Sequence, residues 1–207
     1  KLTPKLSFRL NPGDMKKNSN IDRTINVNNI FSIDRLGLED TLESGKSLTV
    51  GIDYARSNLL KDDEISIKLA KVYRDDYENN IPNNTSLNST KSYLFGSLEY
   101  EKNQIINIDY NFATEDLIDD FVYHDLGLSL SLNNFVTDFN FIKEDGDFGT
   151  SYILENKSVF NFNKNSSISF RTRRNEEINL TEYYDLVYEY KNDCLVAGLK
   201  FNKTYYQ

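Results

Sequence analysis

His124, the sole histidine, is followed directly by Asp125, with Ser129 and Ser131 a few residues on. Those three residue types can build a hydrolytic Ser-His-Asp site. The plainer reading, and the one adopted, is a polar strand residue close to a loop. Four acidic clusters could supply oxygen ligands to Ca²⁺ or Mg²⁺: Asp62-Asp63-Glu64, Asp75-Asp76, Asp119-Asp120 and Glu144-Asp145-Gly146-Asp147. Only the last has glycine spacing like a calcium loop, and it lacks the full ligand series, so solvated loops are expected. Zinc spacing and a phosphate-cradling glycine loop are both missing, and no cofactor is expected. Matches to Asn-X-Ser/Thr such as Asn165-Ser166-Ser167 arise by chance in so asparagine-rich a chain. The single cysteine, Cys194, rules out an internal disulfide. In an exported protein an unpaired cysteine suggests a partner elsewhere.

The elements that would hold these residues show in the composition. Hydrophobic residues make up 39% of the 207, and mean hydropathy is -0.58. Yet there are 14 Tyr and 13 Phe, too many for a disordered chain. Both facts fit if the apolar side chains lie on one face of many strands, as in a transmembrane barrel. A net charge of -8 and a pI near 4.8 argue against nucleic acid as a partner, which needs a basic stripe. No run of 18 apolar residues marks a transmembrane helix, a test to which barrel strands are invisible. No signal peptide opens the chain at Lys1, so an exported protein would begin upstream.

Alternation with period two dominates. Leu126, Leu128, Leu130 and Leu132 share a face, with Gly127, Ser129 and Ser131 on the other. The same pattern runs through Leu48 to Tyr54, Ile65 to Leu69, Leu94 to Tyr100, Ile106 to Phe112, Tyr184 to Tyr190 and Leu195 to Phe201. Eleven strands are predicted, near 4–10, 46–56, 64–74, 91–101, 104–113, 121–132, 135–143, 148–161, 166–174, 180–191 and 194–205. The stretch from Phe148 to Asn161 alternates worst. Polar partners such as Asp109 and Asn111, Arg171 and Arg173, and Asp185 and Glu189 would face a wet lumen.

The breaks between strands are of two kinds. Short polar ones fall at Glu101 to Gln104, Asn133-Asn134, Asn163 to Asn165 and Lys191 to Asp193. Asn suits them because it tolerates left-handed backbone angles. Between them lie longer connections: Asn11 to Gly45, Asp75 to Thr90, Thr114 to Asp120, Lys143 to Asp147 and Arg174 to Asn179. In a meander alternate turns share an end, so one end has tight turns and the other long loops. Outer-membrane barrels have that asymmetry. The fold predicted is therefore all-β: an antiparallel up-and-down transmembrane β-barrel, present in part, about eleven strands of a larger barrel. Unpaired edges in lipid argue for further strands.

Three stretches resemble the lipopolysaccharide-assembly protein LptD (organic solvent tolerance protein) family. The first is Thr3-Pro4-Lys5-Leu6 with Asn11-Pro12-Gly13. The second is Asn29-Ile30-Phe31-Ser32-Ile33-Asp34-Arg35-Leu36-Gly37, followed by Asp40, Glu43, Ser44, Gly45 and the strand from Leu48 to Tyr54. The third is Leu180 to Tyr184 with Tyr188 to Leu195, continuing through Ala197-Gly198-Leu199 to Tyr205-Tyr206. The middle of the chain matches in pattern only. The resemblance implies that residues 1–207 are part of a C-terminal outer-membrane barrel of roughly 26 strands, with the N-terminal periplasmic domain and the final strand outside them. It also implies that Cys194, which matches the family's C-terminal cysteine position, forms a disulfide with the absent N-terminal region. Asp193 occupies the place of a second cysteine found in many members.

The function so implied is transport of lipopolysaccharide to the outer leaflet of the bacterial outer membrane, without covalent chemistry and so without enzymatic activity. The partners implied are lipopolysaccharide, an LptE-type lipoprotein plug and, through the absent N-terminal domain, an LptA-type periplasmic bridge. Two alternatives stay open: a porin-like passive channel, and a soluble all-β module, such as one for carbohydrate.

Overall fold

A computed structural model describes residues 1–39, 41–58, 60, 62–115 and 120–205. Eleven strands follow one another: β1 (Leu2–Asn11), β2 (Gly45–Asn58), β3 (Asp63–Arg74), β4 (Leu94–Lys102), β5 (Ile106–Thr114), β6 (Phe121–Leu132), β7 (Phe135–Glu144), β8 (Tyr152–Asn163), β9 (Ser166–Asn175), β10 (Leu180–Lys191) and β11 (Val196–Thr204). They form one antiparallel up-and-down sheet in the order β1 to β11, with no crossover. Among the described residues β1 and β11 each pair on one side only, so the sheet is not closed.

All eleven predicted strands are present; four begin later than predicted, β5 and β11 by two residues and β4 and β8 by more. β8 starts at Tyr152, after a 3₁₀ turn at Gly146–Phe148. The run Phe-Gly-Thr-Ser has no alternation to hold it in a ladder. Phe148 instead turns its ring to Tyr93 and Tyr123, at 5.7 and 5.4 Å between centroids. β4 starts at Leu94 rather than 91, because Lys91 makes only an isolated bridge to Tyr73 and Tyr93 packs against buried loop residues.

Directly opposed residues in antiparallel neighbours share a face, so the register sorts every side chain. One face is apolar: Leu6 lies opposite Val50, Ile67 opposite Leu98, Leu98 opposite Tyr110, Leu128 opposite Phe139, and Leu186 opposite Phe201. The other is mostly polar: Glu99 lies opposite Asp109, Ser129 opposite Asp138, Lys157 opposite Arg171, and Arg171 opposite Asp185. The predicted polar pairs Asp109 and Asn111, Arg171 and Arg173, and Asp185 and Glu189 all fall on that second face.

The connections also divide as predicted. Residues 103–105, 133–134, 164–165 and 192–195 make short turns at the end where β2 runs into β3, and residues 12–39, 41–44, 75–93, 145–151 and 176–179 lie at the other. Within the predicted connection Thr114 to Asp120, residues 116–119 lie outside the described residues. Left-handed backbone appears at Asn103 and Gln104 (φ 53° and 54°), where the amide of Ile105 donates to Lys102 O at 2.9 Å and closes a tight hairpin. Asn133-Asn134 makes a still shorter turn without a positive φ.

The buried apolar cluster does not sit on the apolar face. It lies on the other side, where residues 12–44 and 75–93 fold back over β2–β5. Ile25, Ile30 and Leu36 from the first connection and Ile81 and Leu87 from the second pack on Ala70, Val72, Phe95 and Ala113. Each larger side chain so buried contributes about 1.5–3 kcal/mol. Local turns shape the first connection: the Asn29 side chain accepts from the Asn26 amide at 2.9 Å and donates to Thr24 O at 2.8 Å. Backbone bonds join the two connections, from Asn18 N to Asn80 O at 2.9 Å and from Asn83 N to Ser19 O at 3.2 Å. Phe31 reaches onto β2 at Gly51, where a Cβ would stand 2.7 Å from its ring and 2.8 Å from Leu69 O. Glycine at 51 is thus required by close approach.

Candidate functional site

The polar face is where chemistry could occur, and Glu43 organises its covered part. This residue ends the first connection, just before β2, and its side chain is 4% exposed. Arg9 of β1 donates to its Oε2 at 2.6 Å, and Arg35 donates to both carboxylate oxygens at 2.7 and 2.5 Å. Arg74 of β3 donates to Oε1 as well. Further donors are used as well: Arg9 bonds Ser32 O (2.6 Å), Arg35 bonds Thr49 Oγ1 (3.0 Å), and Arg74 bonds Ser44 O (2.6 Å), while the buried Nε of Arg74 has no partner among the described residues. One carboxylate thereby ties β1, β2, β3 and the loop together.

Burial opposes ionisation of Glu43, but the hydrogen bond from Arg35 and the charges of Arg35, Arg9 and Arg74 outweigh it. Its carboxyl is held below the usual carboxylate range. The two connections are further joined by Ser44 Oγ, which donates to Glu78 Oε2 at 2.5 Å. A buried network of this kind adds little net stability over an apolar replacement, but removing one partner strands the others. It specifies where the loop sits.

Away from the loops the polar face is half-buried or exposed apart from Asp185, and its charges are unevenly spread. On β4–β7 it presents Glu99, Glu101, Asp109, Asp125, Asp138 and Glu144 and neither Lys nor Arg. On β8–β11 it presents cations among acids. Arg173 is held between Glu155 and Glu182, at 2.7 Å from each. Asp185 takes a hydrogen bond from Arg171 at 2.8 Å and another from Asn202, and lies 3.9 Å from Lys200.

His124, Asp125, Ser129 and Ser131 are not brought together. His124 lies on the apolar face, 2.7 Å from Tyr110 Oη and stacked on Phe121 at 4.7 Å between centroids. Asp125, Ser129 and Ser131 project from the opposite face, as alternation requires, so the His-Asp-Ser arrangement is not assembled. No group of three or more His, Cys, Asp or Glu converges as a metal site among the described residues. Asp75 pairs with Lys46 and Asp145 with Lys143, while Asp119 and the Asp147 side chain lie outside the described residues. So do Asp40 and Tyr206 of the resembling stretches.

Cys194 is exposed in the turn between β10 and β11, at the short-turn end, where Asn192 Oδ1 accepts its amide at 3.0 Å. Sequence reasoning placed Arg35 and Glu43 in one stretch but missed their pairing and missed Arg9 and Arg74. Comparison with protein-family models and with curated proteins finds no match for this chain.

Proposed function

We propose that this chain forms part of the wall of an outer-membrane β-barrel that carries lipopolysaccharide to the outer leaflet, in the manner of the LptD family. The observation that carries the membrane reading is the two-faced sheet. Its apolar face stays bare: Leu6 is 73% exposed, Phe8 67% and Leu199 77%. A face of that size in water would be an aggregation site, whereas in hydrocarbon it needs no cover. Strands of 9–14 residues suit a tilted crossing. Aromatic residues on this face stand at both ends, such as Tyr73 and Tyr152 on the long-loop side and Tyr100 and Phe160 on the short-turn side, and also midway, where Tyr110, Phe139, Phe170 and Phe201 lie opposite Leu98, Leu128 and Leu186.

In this reading the long loops face outward, the short turns face the periplasm, and the polar face lines the lumen. Cys194 then sits on the periplasmic side, where a disulfide to an N-terminal segment would form under oxidising conditions. The lipopolysaccharide assignment itself rests on the three resembling stretches, as do the lipoprotein plug and the periplasmic bridge. A soluble sandwich is disfavoured because no second layer covers the apolar face among the described residues.

The test is depletion of the full-length protein in the Gram-negative bacterium that carries it. Newly made lipopolysaccharide should fail to reach the surface and accumulate inside. If surface lipopolysaccharide is unchanged while uptake of small solutes falls, the protein is a porin-like channel instead. Absence of heat-modifiable migration in detergent gels would remove the membrane reading altogether.

A further inference from the structure

We propose that the polar face of β8–β11 holds a phosphate-binding track for an anionic glycolipid, centred on Lys157, Arg171 and Lys200. The proposal rests on the transport reading above and assigns the part of the wall that the substrate touches.

Three observations converge on these strands. At the long-loop end of β2–β5 the polar face is filled by residues 12–44 and 75–93, so no ligand reaches it there. On β4–β7 the same face carries six carboxylates and no cation, so a phosphate moving along it would meet only like charge. On β8 and β9, Lys157 lies directly opposite Arg171, an unfavourable pairing of like charges unless an anion sits between them.

Unlike β4–β7, these strands set cations among their acids: Lys157, Arg171, Arg173 and Lys200 beside Glu155, Glu182, Asp185 and Glu189. Arg171 and Lys200 share one carboxylate, Asp185, and both side chains are more than half exposed. Lys157 has no carboxylate within ion-pair distance among the described residues. Asp138, opposite it on β7, instead accepts from Ser129 Oγ at 2.8 Å. Arg171 also lies over the Tyr183 ring, 5.4 Å from its centroid, a cation–π contact beside its bond to Asp185.

A cleft of about 420 Å³ opens beside Lys157 and Arg171. It is lined also by the hydroxyl and amide groups of Ser129, Asn140 and Tyr183, and by the carboxylates of Asp138 and Glu155. Cations suited to phosphate beside neutral donors suited to sugar hydroxyls match a phosphorylated glycolipid headgroup.

The test uses the full-length protein with a photo-crosslinking residue at Ser169, on the polar face of β9, or at Asn107, on the polar face of β5. Position 169 should capture lipopolysaccharide and position 107 should not. Combining Lys157→Gln and Lys200→Gln, or reversing Arg171→Glu, should lower the adduct at 169 about tenfold or more. Heat-modifiable migration of each variant shows that the barrel has formed. With purified protein, a dephosphorylated glycolipid should give the weak adduct of the neutralised variant. Competition by inorganic phosphate as strong as that by the phosphorylated headgroup would overturn the glycolipid assignment. Equal capture at 107 and 169, or capture indifferent to the charge changes, would overturn the track and leave the transport reading standing. No capture at any polar-face position, together with normal surface lipopolysaccharide after depletion, would end both.

Discussion

At the long-loop end of β2–β5 the polar face disappears beneath residues 12–44 and 75–93, whereas on β6–β11 the equivalent side chains remain half-buried or exposed, apart from Asp185. The two regions handle charge accordingly. Under the loops, Glu43 is out of water and is met by three arginines, whose other donors find acceptors on Ser32, Ser44 and Thr49. In the open region, Lys157, Arg171 and Lys200 stay in contact with solvent and are only partly paired. The same alternating strand can therefore back a dry cluster or a wet wall, and the connections decide which.

The largest expected effect falls in the covered region. Glu43→Ala leaves three guanidinium groups facing one another and should cost about 3–5 kcal/mol. Unfolding of the full-length protein by urea in lipid vesicles would measure it, and residues 12–44 should become open to protease. An unchanged midpoint would mean that the two regions are equally wet.

Next comes a contrast between faces within the open region. Leu128→Arg on the apolar face should cost about 2–4 kcal/mol if that face meets hydrocarbon, while Ser131→Arg on the polar face should stay within about 0.5 kcal/mol. Equal small losses in the same unfolding assay would show that the apolar face meets water.

A smaller effect is expected where loop and strand touch. Gly51→Ala pushes a methyl group into Phe31 and should cost about 1–3 kcal/mol, read as faster amide exchange in the first connection with β8–β11 unchanged. The mildest perturbation is acid. Because the folded Glu43 carboxyl titrates below its unfolded value, its contribution is complete above the ordinary carboxylate range near about 4.3. That contribution is lost only as pH falls through the lowered value. Protection of the loop amides should therefore persist through mild acid and fail below it, and Glu43→Gln should remove this step.

The strands were legible because alternation is local: the Leu126 to Leu132 run names its own two faces. The asymmetry of turns and loops was legible for the same reason. The covered cluster was not. Ile25, Ile30, Leu36 and Leu87 lie among Asn and Ser with no period, and their burial depends on strands far along the chain. The Glu43 network joins residues 8 to 34 positions away in sequence, a pairing that no single stretch betrays. One clue was present: a connection as long as residues 12–44 that carries several large apolar side chains has to fold on something. Phe148 shows the converse, an aromatic residue counted into a strand because its loop-core partners Tyr93 and Tyr123 could not be seen from sequence.

The meander has a consequence for how the chain assembles. Since every strand bonds only to its neighbours in sequence, the sheet can zip one hairpin at a time, and from β4 onward each closure spans a short length of backbone. The Glu43 knot obeys a different clock. Its ligands come from β1, β3 and the intervening loop, so it can tighten only after the first three strands are in register, and it then becomes the earliest long-distance checkpoint on the way to the finished wall.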